Sequence, residues 1–206
     1  MNFPKLYAII DVSCFAGTPT TSVIVDYARE LAAGGVTLVQ YRNKAGSARA
    51  MLGDARRIKG ALGEAVTLIM NDRADLCVAA GYNGVHVGQD DLSPEGARAV
   101  IGPTLILGVS THNLEQVREA DAGPADYIAL GPIFSTYSKQ KPDPVVGVEG
   151  LRAARLATRK PLVAIGGITR ANARSVIDAG ADSVAVIADL LASPRQSAEE
   201  LLRVLV

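Results

Sequence analysis

Three features of the sequence predict a single-domain α/β chain folded as a (β/α)8 TIM barrel: a recurring glycine-punctuated phrase, alternation of strand-length apolar runs with helical patterns, and polar residues gathered just after those runs. The phrase occurs as Ala-Gly-Gly-Val-Thr-Leu-Val-Gln at 33–40, Ala-Gly-Tyr-Asn-Gly-Val-His-Val-Gly at 80–88, Ala-Gly-Pro-Ala-Asp-Tyr-Ile-Ala-Leu-Gly at 122–131 and Ala-Gly-Ala-Asp-Ser-Val-Ala-Val-Ile at 179–187. Each reads as a helix end, a glycine in a left-handed cap, a short turn and a strand buried on both faces.

Four more strands are expected at Leu6 to Asp11, Val66 to Met70, Leu105 to Val109 and Pro161 to Ile165. Helical patterns separate neighbouring strands, for example Val23 to Ala33, Ala48 to Leu62, Leu114 to Ala120 and Ala171 to Ala179. Ser93-Pro94-Glu95 and Ser193-Pro194 read as a cap residue followed by proline in the first turn, and the last helix is expected over Pro194 to Leu205. Strict alternation implies parallel pairing with right-handed crossovers. Eight units of about 26 residues each then close into a barrel near the short end of its usual length. A doubly wound open sheet would need edge strands, and none of these runs reads as one. No linker divides residues 1–206, and the one long irregular loop is Ser135 to Val146.

Composition narrows the function. The chain is 49% hydrophobic and 20% charged, with 21 basic and 21 acidic residues, which argues against nucleic-acid binding through bulk charge. With no tryptophan and 4% aromatics, a base-stacking platform is also unsupported. A secretory signal and any apolar run of about 18 residues are lacking, so a cytoplasmic protein without a membrane partner is expected. Cys14 and Cys77 lack metal-site spacing and read as reduced thiols.

In a barrel the working residues lie at the C-terminal strand ends. Gln40, Arg42 and Lys44 sit at i, i+2 and i+4, so an extended chain points them one way. One amide and two cations converging on a point suit a polyanion, although a solvated strand end has the same composition. Asn71-Asp72-Arg73 follows the third strand and Gln89-Asp90-Asp91 the fourth. Asp72 and Asp91 beside those cations suit Mg²⁺ shared with phosphate oxygens, the competing reading being that both acids cap helices. Asp90 cannot be separated from Asp91 on these grounds. Gly166-Gly167 after the seventh strand suits a phosphate held by backbone amides, or tight helix–strand packing. Two anion sites on one rim imply two phosphorylated small-molecule substrates, with Thr136, Ser138 and Lys139 on the loop between them.

The motifs Q-Y-R-N-K, N-D-R, G-V-H-V-G-Q-D-D-L, G-V-S-T-H-N, G-P-I-F-S-T-Y-S-K and A-I-G-G-I together resemble the thiamin phosphate synthase family over nearly the whole chain. The resemblance implies a transferase of thiamin biosynthesis. It would couple 4-amino-2-methyl-5-hydroxymethylpyrimidine diphosphate to 4-methyl-5-(2-phosphoethyl)thiazole and release pyrophosphate by a Mg²⁺-assisted dissociative mechanism. It implies that Gln40, Arg42, Lys44, Asn71, Ser110 and Lys139 bind the pyrimidine diphosphate, with Arg42, Lys44, Lys139 and Ser110 catalytic. Thr136, Ser138, Gly166, Gly167, Ile187 and Ala188 would hold the thiazole phosphate, and Asp72 and Asp91 the Mg²⁺. Homo-oligomer formation is compatible with this reading.

Asn43 departs from the acidic residue more common in that family and is expected to point away from the Gln40, Arg42 and Lys44 face. Ala188 stands where serine is common. Related thiazole tautomerases use a histidine at the position of His112, but tend to lack the lysine and acidic pair kept here as Lys44, Asp72 and Asp91. A non-catalytic sensor of phosphorylated ligands is a second alternative. His86, inside the fourth strand, reads as a hydrogen-bonded core residue.

Overall fold

The computed structural model describes residues 3–136 and 143–206. Eight strands, β1 Leu6–Asp11, β2 Leu38–Arg42, β3 Thr67–Asn71, β4 Gly84–Val87, β5 Ile106–Thr111, β6 Tyr127–Leu130, β7 Leu162–Ile165 and β8 Ser183–Val186, pair in sequence order into a closed parallel barrel. The helices α1 Thr21–Ala33, α2 Ala48–Leu62, α3 Ala74–Ala80, α4 Pro94–Ile101, α5 Leu114–Ala122, α6 Gly147–Ala157, α7 Ala173–Asp178 and α8 Pro194–Leu205 alternate with them. The expected architecture is therefore present, and element ends differ from the sequence reading by one to a few residues, as fraying ends do. Among the described residues no helix is long and apolar enough to cross a membrane.

Strand alternation divides the apolar residues into two cores. Ala8, Ile10, Val39, Leu68, Met70 and Leu107 face outward onto the helices. Tyr7, Ile9, Leu38, Ile69, Tyr127, Ala129, Val163 and Ala185 fill the lumen. Phe3 precedes β1 and seats on Tyr127 with ring centroids 5.1 Å apart. The helices bury one stripe each, such as Ile24, Val25, Ala28 and Leu31 of α1, so the layer between sheet and helices is continuous.

Four helices, α1, α2, α4 and α5, satisfy a free amide at their start locally. Thr20, Ser47, Ser93 and Asn113 each accept a hydrogen bond from the amide three residues on. Ser193 precedes Pro194 as expected but makes no capping bond. One junction differs from its sequence reading. Gly123 is not left-handed but lies at φ −87° and ψ −172°, because Pro124 follows and the proline ring drives the preceding residue into extended backbone.

A buried acid ties the first two βα units together. Asp54 of α2 accepts from Thr21 Oγ1 at 2.5 Å and from Tyr41 Oη at 2.7 Å. Asn43 donates to the same tyrosine oxygen at 3.2 Å and accepts from the amide of Gly46 at 2.8 Å. Asn43 therefore points outward, away from the lumen, as expected. Asp54→Ala removes two charge-assisted bonds and leaves the Tyr41 hydroxyl proton without its acceptor. It is expected to cost about 2–3 kcal/mol in denaturant unfolding and to lower Tm by roughly 4–10 °C.

Candidate active site

The mouth of the barrel at the C-terminal strand ends is built first by β1 and β2. Asp11 and Arg42 are the last residues of these strands and register partners in the ladder. Arg42 Nη1 donates to Asp11 Oδ2, while Asp11 Oδ1 accepts from the Ser13 amide at 3.0 Å and from Ser13 Oγ at 2.6 Å. Asp11 is 1% exposed, so the guanidinium is anchored by a carboxylate fixed on both oxygens, and the rest of its fork faces the mouth. Gln40, two residues earlier, also points inward and donates from Nε2 to Tyr7 Oη at 2.8 Å. Lys44 lies past the strand end and reaches the rim differently, through an ion pair at 3.0 Å with Asp72.

Asp72 and Asp91 decide between metal binding and helix capping. The residue before α3 is Arg73, which makes no side-chain capping bond, and the cap of α4 is Ser93. Neither acid caps its helix. Asp72 is the non-glycine residue at positive φ, +60°, among those described, and its amide donates to the His86 carbonyl at 2.8 Å. That conformation is unfavourable for an aspartate by about 1–3 kcal/mol and turns its carboxyl toward the mouth instead of along α3. Asp91 comes from the β4 side, one oxygen accepting from the Gly88 amide at 2.9 Å. The two carboxyls lie within hydrogen-bonding reach of each other. Burial, then proximity to Asp91, raises the Asp72 carboxyl above the usual carboxylate range, with Lys44 working against both. Asp90 is exposed and Asp91 half-buried, which separates the two acids that sequence left equivalent. Arg73 turns away, bonded from Nε to Asp75 at 2.8 Å.

Two adjacent carboxylates are mutually destabilising until a cation lies between them. Hard oxygen donors, few in number, with a lysine alongside, fit Mg²⁺ that completes its shell with water and ligand oxygens. Among the described residues no group of three or more potential metal ligands exists. Asn71 ends β3, and Ser110 stands one residue before the end of β5, both on the lumen side. Asn71 is 7% exposed, and Ser110 Oγ lies 2.8 Å from His86 Nε2. Burial pushes the His86 imidazole down to about 4, so it is neutral.

The second group lies across the mouth. Gly166 and Gly167 have φ of +96° and +65°, and a Cβ on either would overlap the chain at Pro132 or at Phe134 and Ser135. Both sequence readings of this turn are thus represented, since tight packing is real. In addition, the amides of Gly166, Gly167, Ile187 and Ala188 donate to no partner among the described residues. Free amides at adjacent strand ends form an anion cradle. Arg170 clamps the two ends, its amide donating to Asp189 Oδ2 at 2.8 Å. Thr136 approaches from the loop after β6, while Ser138 and Lys139 lie outside the described residues. His112 stands apart from this chemistry, with Nδ1 at 2.6 Å from the Gly131 carbonyl and the amide bonded to Gln116 Oε1 at 2.7 Å.

Sequence reasoning missed Asp11, which reads there only as a strand end. Its signal is the pairing of two strand-terminal residues of opposite charge in adjacent strands. Tyr7 and Tyr127 lie in the lumen core, and the sequence gives no sign that their hydroxyls enter the site's hydrogen bonding.

Residues 6–190 match the family described as thiamine monophosphate synthase. The chain is 63% identical to the thiamine-phosphate synthase of Koribacter versatilis, covering 100% of this chain and 97% of that protein. It is 43% identical to that of Chloroflexus aurantiacus over 92% of this chain and 86% of the relative. The solved thiamine phosphate pyrophosphorylase of Pyrococcus furiosus superposes with a TM-score of 0.86 at 34% identity, covering 98% and 95% of the two chains.

The acidic pair generates a pH-dependent prediction. Because the folded Asp72 carboxyl is raised, the folded state holds more protons than the unfolded one just above the ordinary carboxylate range. The metal-free protein therefore loses this contribution to stability as pH rises through that window. Mg²⁺ competes with those protons, so the rise in Tm on adding Mg²⁺ is expected to be larger at pH 8 than at pH 5. Equal rises, or none in wild type beyond that of Asp91→Asn, would show that the pair holds no cation.

Proposed function

The chain belongs to the thiamine monophosphate synthase family, and from that membership we propose that its two anion sites receive the two phosphorylated substrates of thiamin phosphate formation. It is a transferase of thiamin biosynthesis. In our reading the hydroxymethylpyrimidine diphosphate lies at Gln40, Arg42, Lys44, Asn71, Ser110 and Lys139, and Mg²⁺ lies at Asp72 and Asp91. The thiazole phosphate lies at Thr136, Ser138, Gly166, Gly167, Ile187 and Ala188. The observation that carries the diphosphate assignment is the pair of uncapped carboxyls, Asp72 and Asp91, beside Lys44 on the rim that Arg42 also serves.

The chemistry follows from where charge develops. As the bond between the pyrimidine methylene and the diphosphate oxygen lengthens, negative charge grows on the departing pyrophosphate and positive charge on the methylene. Arg42, already oriented by Asp11, and Lys44 stabilise the growing negative charge without reorganising. Bound Mg²⁺ supplies further charge neutralisation at the diphosphate oxygens. The thiazole nitrogen then captures the methylene carbon, so the reaction needs no nucleophile from the protein. The backbone cradle holds the thiazole phosphate at a distance from the cations, which positions the ring nitrogen for capture. Ala188 is exposed and offers its amide alone to that phosphate.

The test is pyrophosphate release and thiamin phosphate formation from the two substrates, with Mg²⁺ or a chelator. Release that needs Mg²⁺ and both substrates is the expected result. Ligand binding without turnover would identify a sensor instead. Asp72→Ala is expected to reduce turnover roughly 10²-fold or more while the chain stays folded. Ala188→Ser is expected to tighten thiazole phosphate binding by a few-fold, read as KM for that substrate.

A further inference from the structure

Five polar side chains cross the lumen of the barrel in an unbroken line. Gln40 Nε2 donates to Tyr7 Oη at 2.8 Å, Tyr7 Oη lies 2.9 Å from Tyr127 Oη, and Tyr127 Oη lies 2.8 Å from His86 Nδ1. His86 Nε2 then lies 2.8 Å from Ser110 Oγ. The five come from β2, β1, β6, β4 and β5, so the line spans the barrel without following any one strand. Tyr7, Tyr127, Gln40 and His86 are exposed by 1%, 0%, 3% and 7%. The surrounding lumen is apolar, and aliphatic side chains could fill this space without the desolvation cost that four buried polar groups carry. The backbone makes room for the line as well. A Cβ at Gly108 would overlap the Tyr127 ring and His86 Nδ1, at a glycine whose φ is not in the left-handed region.

We propose that this line fixes the direction in which Ser110 offers its proton, making Tyr7, Tyr127 and His86 positioning residues for the diphosphate site. The proposal rests on the reading of Ser110 given above. It follows from counting donors. Among the described residues Tyr7 Oη has two partners, Gln40 and Tyr127, and the Gln40 amide donates to it. The Tyr7 proton must therefore go to Tyr127, and the Tyr127 proton to His86 Nδ1. The neutral imidazole then carries its proton on Nε2 and donates it to Ser110 Oγ. Reversal of the line would leave the Tyr7 proton facing the Gln40 NH₂ inside the barrel, with no acceptor. All four links then use one proton each, and the Ser110 proton is left over. Ser110 is half-buried at the strand end, so that proton is offered to the mouth. A serine hydroxyl ordinarily rotates between donating and accepting. Here one acceptor lone pair is taken by His86 Nε2–H, which holds the hydroxyl in place and leaves its proton for an anionic phosphate oxygen.

Two measurements on the full chain test this. In ¹⁵N-histidine-labelled protein only His86 and His112 give signals, and His112→Gln assigns them. His86 is expected as the Nε2–H tautomer, and an Nδ1–H tautomer would overturn the proposal. The second measurement is a double-mutant cycle. Tyr127→Phe is expected to lower kcat on the order of tenfold, the scale seen when an orienting partner is lost, with KM for the thiazole phosphate unchanged. In a Ser110→Ala background the same change is expected to have less than a twofold effect. An undiminished tenfold loss in that background would show that Tyr127 acts through general packing and would overturn the line as a positioning device. Tyr7→Phe, which removes the preceding link, serves if Tyr127→Phe does not fold. Absence of synthase turnover in the wild-type chain would instead overturn the proposed function and with it the acceptor assigned to Ser110.

Discussion

Because the strand ladder closes on itself from β1 through β8, every strand residue has only two directions open to it, onto the helices or into a narrow lumen. Outward positions answer to helix packing and are mostly aliphatic, with Tyr41 bonded to Asp54 of α2. Inward positions near the N-terminal end must fill space, as Tyr7, Leu38 and Val163 do. Inward positions at the C-terminal end are released from that duty, and there Asp11, Gln40, Arg42, Asn71 and Ser110 stand. The site is thus a continuation of the lumen's side-chain alternation past the point where packing governs it.

That constraint explains what sequence could reveal. Gln40 and Arg42 were legible because period-two alternation is a property of any strand, and the structure places both on the lumen side. Lys44 shares their spacing but lies beyond the strand, so its convergence with them depends on its ion pair with Asp72. The alternation from strand to helix and the closed barrel were legible from the recurring phrase. The cap at Gly123 was misread because the following proline, not the glycine, dictates the backbone there. Two features had no local signal. The positive φ of Asp72 is imposed by the turn between β3 and α3 and by its amide bond to the His86 carbonyl. The continuity of the tyrosines with His86 arises only when strands distant in sequence meet across the lumen.

Strain and like-charge proximity accumulate at the same place. Asp72 sits in an unfavourable backbone region, its carboxyl is raised by burial and by Asp91, and Lys44 offsets only part of this. Such an arrangement costs stability that its ion pair with Lys44 only partly offsets, which is consistent with the cation site proposed for it. By contrast, the buried Asp54, bonded to Thr21 and Tyr41 away from the mouth, has both oxygens satisfied and serves the fold.

In the proposed function the two halves of the mouth use different means to hold negative charge, and the difference matches the chemistry asked of each. Arg42, Lys44 and the acidic pair make a strong, adjustable field whose strength can follow charge as it builds on a leaving group. The glycine turn after β7 and the free amides after β8 make a fixed array of dipoles, shaped by packing against the 132–135 segment. A phosphate that is only a handle keeps its charge throughout the reaction, so uniform binding by backbone is sufficient and no cation need compete with the diphosphate. Separating a field that senses the reaction from a cradle that does not would let one rim bind the two proposed anions while directing its stabilisation at only one of them.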